Sequence, residues 1–113
     1  MSSERKEISI VIPTKEESKT IGKCLHSILD NLYPLKKLEI IVVDGMSDDG
    51  TREIVQEYKA RFPMIKLIDN SKIVTPVALN IGINNAKGDI IVILGAHSYI
   101  DKDFLLNVDR VFS

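Results

Sequence analysis

A carboxylate follows a short apolar run in the middle of the chain. Asp44 comes directly after residues 40–43, which are Ile, Ile, Val and Val, and a turn of mostly small and polar residues follows at 45–51. A carboxylate at the end of a buried strand can accept a hydrogen bond from the imide N–H of a nucleobase. The alternative is that Asp44 closes a turn, while Asp49 or Thr51 caps the helix that follows. Both interpretations stay open on these residues alone.

Two other segments place polar residues directly after apolar runs. Residues 13–17 read Pro-Thr-Lys-Glu-Glu, and residues 95–97 read Gly-Ala-His. Acids such as Glu16 are also favoured at the start of a helix by its dipole, which is the alternative to a binding role. Two further reactive residue types, Cys24 and His26, fall on a predicted helix, and we expect neither to take part in chemistry.

The spacing of apolar residues predicts the elements that position these segments. Short β-branched runs alternate with longer segments of helical period. The predicted strands are 8–12, 38–43, 65–68 and 90–94, and the predicted helices are 17–32, 51–62, 75–86 and 101–112. The predicted inward faces carry Ile21, Leu25, Ile28, Leu29 and Leu32 on the first helix and Phe104, Leu105, Val108 and Val111 on the last.

This order of elements predicts an α/β fold, a three-layer α/β/α arrangement around a mainly parallel sheet. Ligands bind such sheets at the carboxyl ends of the strands. We therefore expect the segments after the first, second and fourth strands to form the site, with Pro13 ending the first strand.

Composition excludes several classes of protein. The net charge is −1, so we expect no nucleic acid partner. A single cysteine, Cys24, cannot form an internal disulfide, which favours a reduced, cytoplasmic compartment. The N-terminus lacks the pattern of a signal peptide, and no apolar run is long enough to cross a membrane. The alternative location, if the chain is part of a longer parent protein, is the inner face of the membrane.

Three sequence segments resemble the motifs of family 2 glycosyltransferases, which have the GT-A fold. Residues 42–51 are similar to V-V-D-x-x-S-x-D-G-T, residues 11–17 to the family's I-P-T-x-N-E segment, and residues 78–89 to A-x-N-x-G-x-x-x-A-x-G-D. The chain departs from the family at Gly45 and Met46, where Asp-Gly is common, and at Glu16, where Asn is usual. The resemblance implies a nucleotide-sugar site made by Pro13, Thr14, Glu17, Asp44, Ser47, Asn80 and Ala96, with Asp44 at the base.

The family's D-x-D motif is replaced by Gly95-Ala96-His97. In the family this motif binds Mn²⁺ or Mg²⁺, which neutralises the leaving diphosphate. The resemblance implies that His97 contacts the metal or the phosphates, and imidazole suits Mn²⁺ better than Mg²⁺. The alternatives are a loop histidine beside a degraded metal site, or replacement of the lost acids by Asp101 and Asp103, which could also cap the last helix. An exopolysaccharide-type branch of the family has a similar triplet.

The resemblance implies transfer of a sugar, from a UDP-sugar in particular, to a glycan or lipid-linked acceptor in cell-surface or exopolysaccharide synthesis. We expect residues 1–113 to be the donor-binding portion, without the acceptor half and its general base, and therefore inactive alone and prone to self-association. The alternative is a catalytically inactive glycosyltransferase-like domain kept for binding or assembly. A receiver domain would need two acids directly after the first strand, and a nucleotidyltransferase would need a Gly-rich loop there.

Overall fold

The computed structural model describes residues 5–112, which form an α/β fold with one parallel sheet. The elements are β1 Ile8–Thr14, α1 Ile21–Leu29, a 3₁₀ turn Leu35–Lys37, β2 Leu38–Asp44, α2 Thr51–Arg61, β3 Ile65–Asp69, α3 Thr75–Asn85, β4 Ile90–Ile93 and α4 Phe104–Phe112. The strand order is β3-β2-β1-β4, and every pair is parallel. The predicted fold class is confirmed.

Helices cover both faces of the sheet. One apolar cluster packs α1, α2 and α4 against one face, and a smaller cluster packs α3 against the other. β1 and β2 lie in the centre, and Ile10 and Ile40 are fully buried there. Strands with two covered faces need apolar residues on both, which explains the continuous β-branched runs of the sequence.

The carboxyl ends of β1 and β2 extend further than predicted. β1 continues through Pro13 to Thr14, which pairs with Asp44. β4 pairs with β1 only as far as Val11, so at Pro13 the strand has a neighbour on one side alone. A proline without an N–H is tolerated at such a position.

The first helix is shorter than predicted, since it spans Ile21–Leu29 and not residues 17–32. Residues 16–18 instead donate their backbone N–H groups to side chains of the loop after β2. At the other end, the Leu32 N–H donates to the carbonyl of Lys102, and the Leu32 side chain is 62% exposed. The prediction that Leu32 faces inward was therefore wrong.

The inward face of α4 also differs from the prediction. Leu105 is buried, but Phe104 and Val111 are 38% and 78% exposed. The helix is rotated because Asp109, a buried acid, faces the core and accepts hydrogen bonds from the Tyr33 hydroxyl and the Lys6 N–H. Satisfying a buried carboxylate outweighs the burial of one more valine.

Residues 1–4 and 113 lie outside the described residues. The prediction that the N-terminus lacks a signal peptide falls partly on residues 1–4. Within residues 5–112, every helix is too short or too polar to cross a membrane.

α3 packs directly on β1 through a glycine. A Cβ built on Gly82 would lie 2.3 Å from Val11 Cγ1, which is far inside van der Waals contact. The helix backbone therefore approaches the strand more closely than any other residue type would allow.

Gly82→Ala is expected to lower the free energy of unfolding by about 1–3 kcal/mol, because the added methyl overpacks this contact. Urea unfolding measures the change. Gly22→Ala is the matched control on α1, since its Cβ would lie 3.8 Å from the Tyr58 hydroxyl, an ordinary contact. Gly22→Ala should leave the stability unchanged or raise it. A Gly82→Ala variant as stable as the wild type would contradict the packing.

Candidate functional site

The carboxyl ends of three strands lie side by side. Thr14 of β1 pairs with Asp44 of β2, and Asp44 pairs with Asp69 of β3. The loops that follow these strands therefore meet at one edge of the sheet, where such folds bind ligands.

Backbone strain concentrates in these loops. In the described chain, the non-glycine residues with positive φ are Glu16 at 52°, Met46 at 64° and Ile73 at 69°, one in each of the loops after β1, β2 and β3. Positive φ is unusual outside glycine and costly for a β-branched residue such as Ile73. Strain of this kind tends to accumulate at functional sites.

Asp44 is fully buried at this edge, and each of its oxygens accepts at least one hydrogen bond. Oδ1 accepts a hydrogen bond of 2.7 Å from the Ser47 hydroxyl, and Oδ2 accepts one of 2.8 Å from the Ser47 N–H. Arg52 Nη1 lies 3.1 Å from the same Oδ2 and 2.7 Å from Asp69 Oδ1. Hydrogen bonds with Asp69 and then Asp44 raise the pKa of the Arg52 guanidinium. Asp44 thus closes the turn, and its contact with a base stays a prediction.

Ser47 joins the loops after β1 and β2. Its hydroxyl donates to Asp44 and accepts a 2.7 Å hydrogen bond from the Glu16 N–H. The Glu16 carboxylate in turn accepts from the Asp48 N–H at 2.7 Å. These bonds fix the two loops relative to each other, and Ser47 itself is only 7% exposed.

Neither Asp49 nor Thr51 is the N-cap residue of α2, as the sequence had suggested, because Gly50 holds that position without a side-chain cap and Thr51 is the first residue of the helix. The residue before the helix is Gly50, with φ at 99°. Asp49 accepts hydrogen bonds from the N–H and hydroxyl of Thr51 and from the Ser18 N–H. The Thr51 hydroxyl, foremost among these donors, holds the pKa of Asp49 well below its usual range. Asp49 therefore has a structural role at the helix start.

A cavity of about 290 Å³ opens at this edge of the sheet. Five of the residues predicted to bind the donor or metal line it: Pro13, Thr14, Glu17, Ala96 and His97. Thr14 and Ala96 are almost fully buried in its wall, and the Thr14 hydroxyl donates to the carbonyl of Ile12. The loops after β1 and β4 thus meet across one concave surface.

The other three predicted residues lie outside the wall of this cavity. Asp44 and Ser47 are buried beside it, next to Thr14 and Glu16. Asn80 lies on an exposed part of α3. A nucleotide contact at Asn80 stays a prediction, as do the other individual contacts.

The sequence analysis missed the lining residues that follow the third strand, which are Asn70, Ile73 and Thr75. Asn70 is 1% exposed, its N–H donates to the Asp44 carbonyl at 2.7 Å, and its side-chain amide donates to the Val74 carbonyl. It follows directly after β3, so its position at the carboxyl end of a strand was the available signal. The loop after the third strand was not among those expected to form the site.

Two possible metal ligands face each other at the cavity wall. His97 Nδ1 lies 3.6 Å from a Glu17 carboxylate oxygen. No cluster of three or more His, Cys, Asp or Glu residues that could hold a metal occurs within residues 5–112. One imidazole and one carboxylate suit Mn²⁺ as a partial site, because a cation at a nucleotide site takes its remaining ligands from phosphate oxygens and water.

A larger cavity of about 650 Å³ lies elsewhere, along α1. It is lined by residues such as His26, Tyr58 and Tyr99. Asp101, an alternative metal ligand from the sequence analysis, borders it, but none of the residues predicted to bind the donor does. We assign the site to the smaller cavity, since it lies at the carboxyl ends of the strands.

The chain is similar to known proteins in sequence and in structure. The family model described as "Glycosyl transferase family 2" matches residues 9–108. A dolichyl N-acetyl-alpha-D-glucosaminyl phosphate 3-beta-D-2,3-diacetamido-2,3-dideoxy-beta-D-glucuronosyltransferase of Methanococcus voltae is 44% identical over 102 residues, which cover 88% of this chain and 32% of that protein.

Solved structures show the same architecture. The mannosyltransferase PcManGT from Pyrobaculum calidifontis, in complex with GDP-Man and Mn²⁺, is 31% identical with a TM-score of 0.85, over 93% of this chain and 32% of that one. S. aureus TarS 1-349 in complex with UDP-GlcNAc has a TM-score of 0.83 at 24% identity, over 92% and 30% of the two chains. The chain spans about a third of the length of these proteins. It belongs to glycosyl transferase family 2.

Proposed function

We propose that this chain binds the nucleotide-sugar donor of a glycosyltransferase that transfers a sugar, from a UDP-sugar in particular, to a glycan or lipid-linked acceptor. The observation that carries the proposal is the position of Asp44, a buried carboxylate at the end of β2, beside the cavity between the loops after β1 and β4. A nucleobase has an N–H for such an acceptor, and the cavity offers room for the groups attached to it.

In this proposal the base meets Asp44, which lies beside the lining residues Thr14 and Asn70. The diphosphate lies near Glu17 and His97, which also line the cavity. A divalent cation, Mn²⁺ in particular, would be held by these two side chains and would supply Lewis-acid stabilisation to the leaving diphosphate.

We also propose a class of acceptor and a cellular location for this protein. The Methanococcus voltae relative is named as acting on a dolichyl-linked sugar phosphate, which supports a lipid-linked acceptor. A lipid-linked acceptor lies in a membrane, so we propose a cytoplasmic protein working at the inner membrane face, in cell-surface or exopolysaccharide synthesis.

The second candidate is an inactive glycosyltransferase-like domain kept for binding or assembly. The observation that favours it is the triplet Gly95-Ala96-His97, in which the acids of the family's metal motif are replaced. Nucleotide binding separates the two, because an inactive assembly domain has no need to bind UDP more tightly when Mn²⁺ is added.

Asp44→Ala is expected to weaken UDP binding by roughly tenfold or more, since a hydrogen bond to a charged acceptor is lost. Isothermal titration calorimetry with UDP measures the dissociation constant. Asp30→Asn is the control, because Asp30 is an exposed acid at the end of α1, away from the strand ends. UDP binding that survives Asp44→Ala unchanged would exclude Asp44 from the base contact.

His97→Ala is expected to abolish the gain in UDP affinity that Mn²⁺ gives the wild type. The same titration is run with Mn²⁺ and with EDTA. His26→Ala is the matched control, because His26 is the other histidine and is exposed on α1. Equal Mn²⁺ enhancement in His97→Ala and wild type would remove His97 from the metal site, and absence of any UDP binding by the wild type would favour the inactive domain.

We also propose that the chain self-associates through β4, the edge strand beyond β1. Ile91 and Ile93 on this strand are 40% and 50% exposed, and an open edge with apolar side chains invites pairing with another chain. Light scattering over a dilution series should show a mass above the monomer that falls on dilution. A monomer at every concentration would contradict this.

A further inference from the structure

Arg52 stands between two carboxylates at the end of the sheet. Its Nη1 lies 3.1 Å from Asp44 Oδ2 and 2.7 Å from Asp69 Oδ1. The Arg52 side chain is 26% exposed and Asp69 is 56% exposed, whereas Asp44 has no exposed surface. Asp69 thus holds the guanidinium from the solvent side, and Arg52 holds the buried acid.

The hydrogen bonds to Asp44 leave it little capacity to accept more. An ionised carboxylate has about four acceptor positions, two on each oxygen. Oδ2 accepts from the Ser47 N–H and from Arg52, so both of its positions are filled. Oδ1 accepts from the Ser47 hydroxyl alone among the described residues. One acceptor position therefore remains, on Oδ1.

Nucleobases differ in the number of donors they present to such an acid. Uracil presents one imide N–H between two carbonyl oxygens. Guanine presents a ring N–H beside an amino group, two donors that a free carboxylate would accept together. Adenine and cytosine present a ring nitrogen that is itself an acceptor. An acid with a single open position next to a guanidinium donor therefore suits the edge of uracil.

We propose that Arg52 is a positioning residue that makes Asp44 select uracil over guanine. It does so by filling Oδ2, so that the amino group of guanine finds no acceptor there. A polar group left unpaired on binding discriminates strongly between similar ligands. This inference rests on the proposed function, in which Asp44 meets the base. Family membership alone leaves the base open, because one solved relative holds GDP-Man.

Asp44 has no exposed surface, so a base reaches it only when a covering side chain moves. Lys15 lies over the neighbouring Gly45, where a built Cβ would be 3.5 Å from Lys15 Cδ. The Lys15 side chain is exposed and makes one hydrogen bond of 3.3 Å, to the Met46 carbonyl. Arg52, by contrast, is tied to both Asp44 and Asp69.

The test compares UDP with GDP on the 113-residue chain in the presence of Mn²⁺. The two probes share the diphosphate, so the ratio of their dissociation constants reports the base. Arg52→Met frees Oδ2, and Ser47→Ala frees a second position on Oδ1. Arg61→Met is the matched control, since Arg61 is exposed on the same helix and packs over the Phe62 ring.

We expect the wild type to prefer UDP by about tenfold or more, and both Arg52→Met and Ser47→Ala to reduce that preference severalfold, while Arg61→Met retains it. A wild type that binds UDP, with the same preference in both site variants, would overturn the inference and leave the proposed function intact. A preference for GDP would also overturn it. Binding of neither nucleotide by the wild type would overturn both. If Arg52→Met does not fold, the UDP-to-GDP preference of Ser47→Ala alone tests the inference.

Discussion

The structure of the site depends on how one buried charge is satisfied. Asp44 loses all contact with solvent at the end of β2, and an unpaired carboxylate in that position would cost several kcal/mol or more. Ser47 and Arg52 offset this cost from the turn and from the start of α2. The turn at 45–51 is therefore shaped by the acid, and the loops after β1 and β3 attach to this turn and to the end of β2.

The same interactions bring the other loops into place. The loop after β1 gives its backbone N–H groups to Ser47, Asp49 and Thr51 and so delays the start of α1 to Ile21. The loop after β3 attaches through the Asn70 N–H to the Asp44 carbonyl. The strained residues of these loops are held by those contacts, and the cavity is the space left between them.

Sequence patterns predicted the regular elements well, because alternation of β-branched and helical runs reflects burial on both faces of a sheet. They also placed Asp44, Thr14 and Ala96 at the strand ends. They failed where side chains from distant segments compete with local periodicity. The end of α1 depends on contacts with residues 101–105, and α4 is turned by Asp109. Asn70 was missed since its partner, the Asp44 carbonyl, becomes a neighbour only through strand pairing, which no local pattern encodes. The bond of Arg52 to Asp69 arises in the same way.

The base-binding role of the buried acid of β2 can be seen in a crystal structure of the chain with UDP and Mn²⁺. We expect the uracil ring beneath Lys15 and Ile73, with its imide nitrogen at hydrogen-bonding distance, about 2.7–3.2 Å, from an Asp44 carboxylate oxygen. Uracil bound in the larger cavity along α1, or at the strand ends without contact to Asp44, would contradict it.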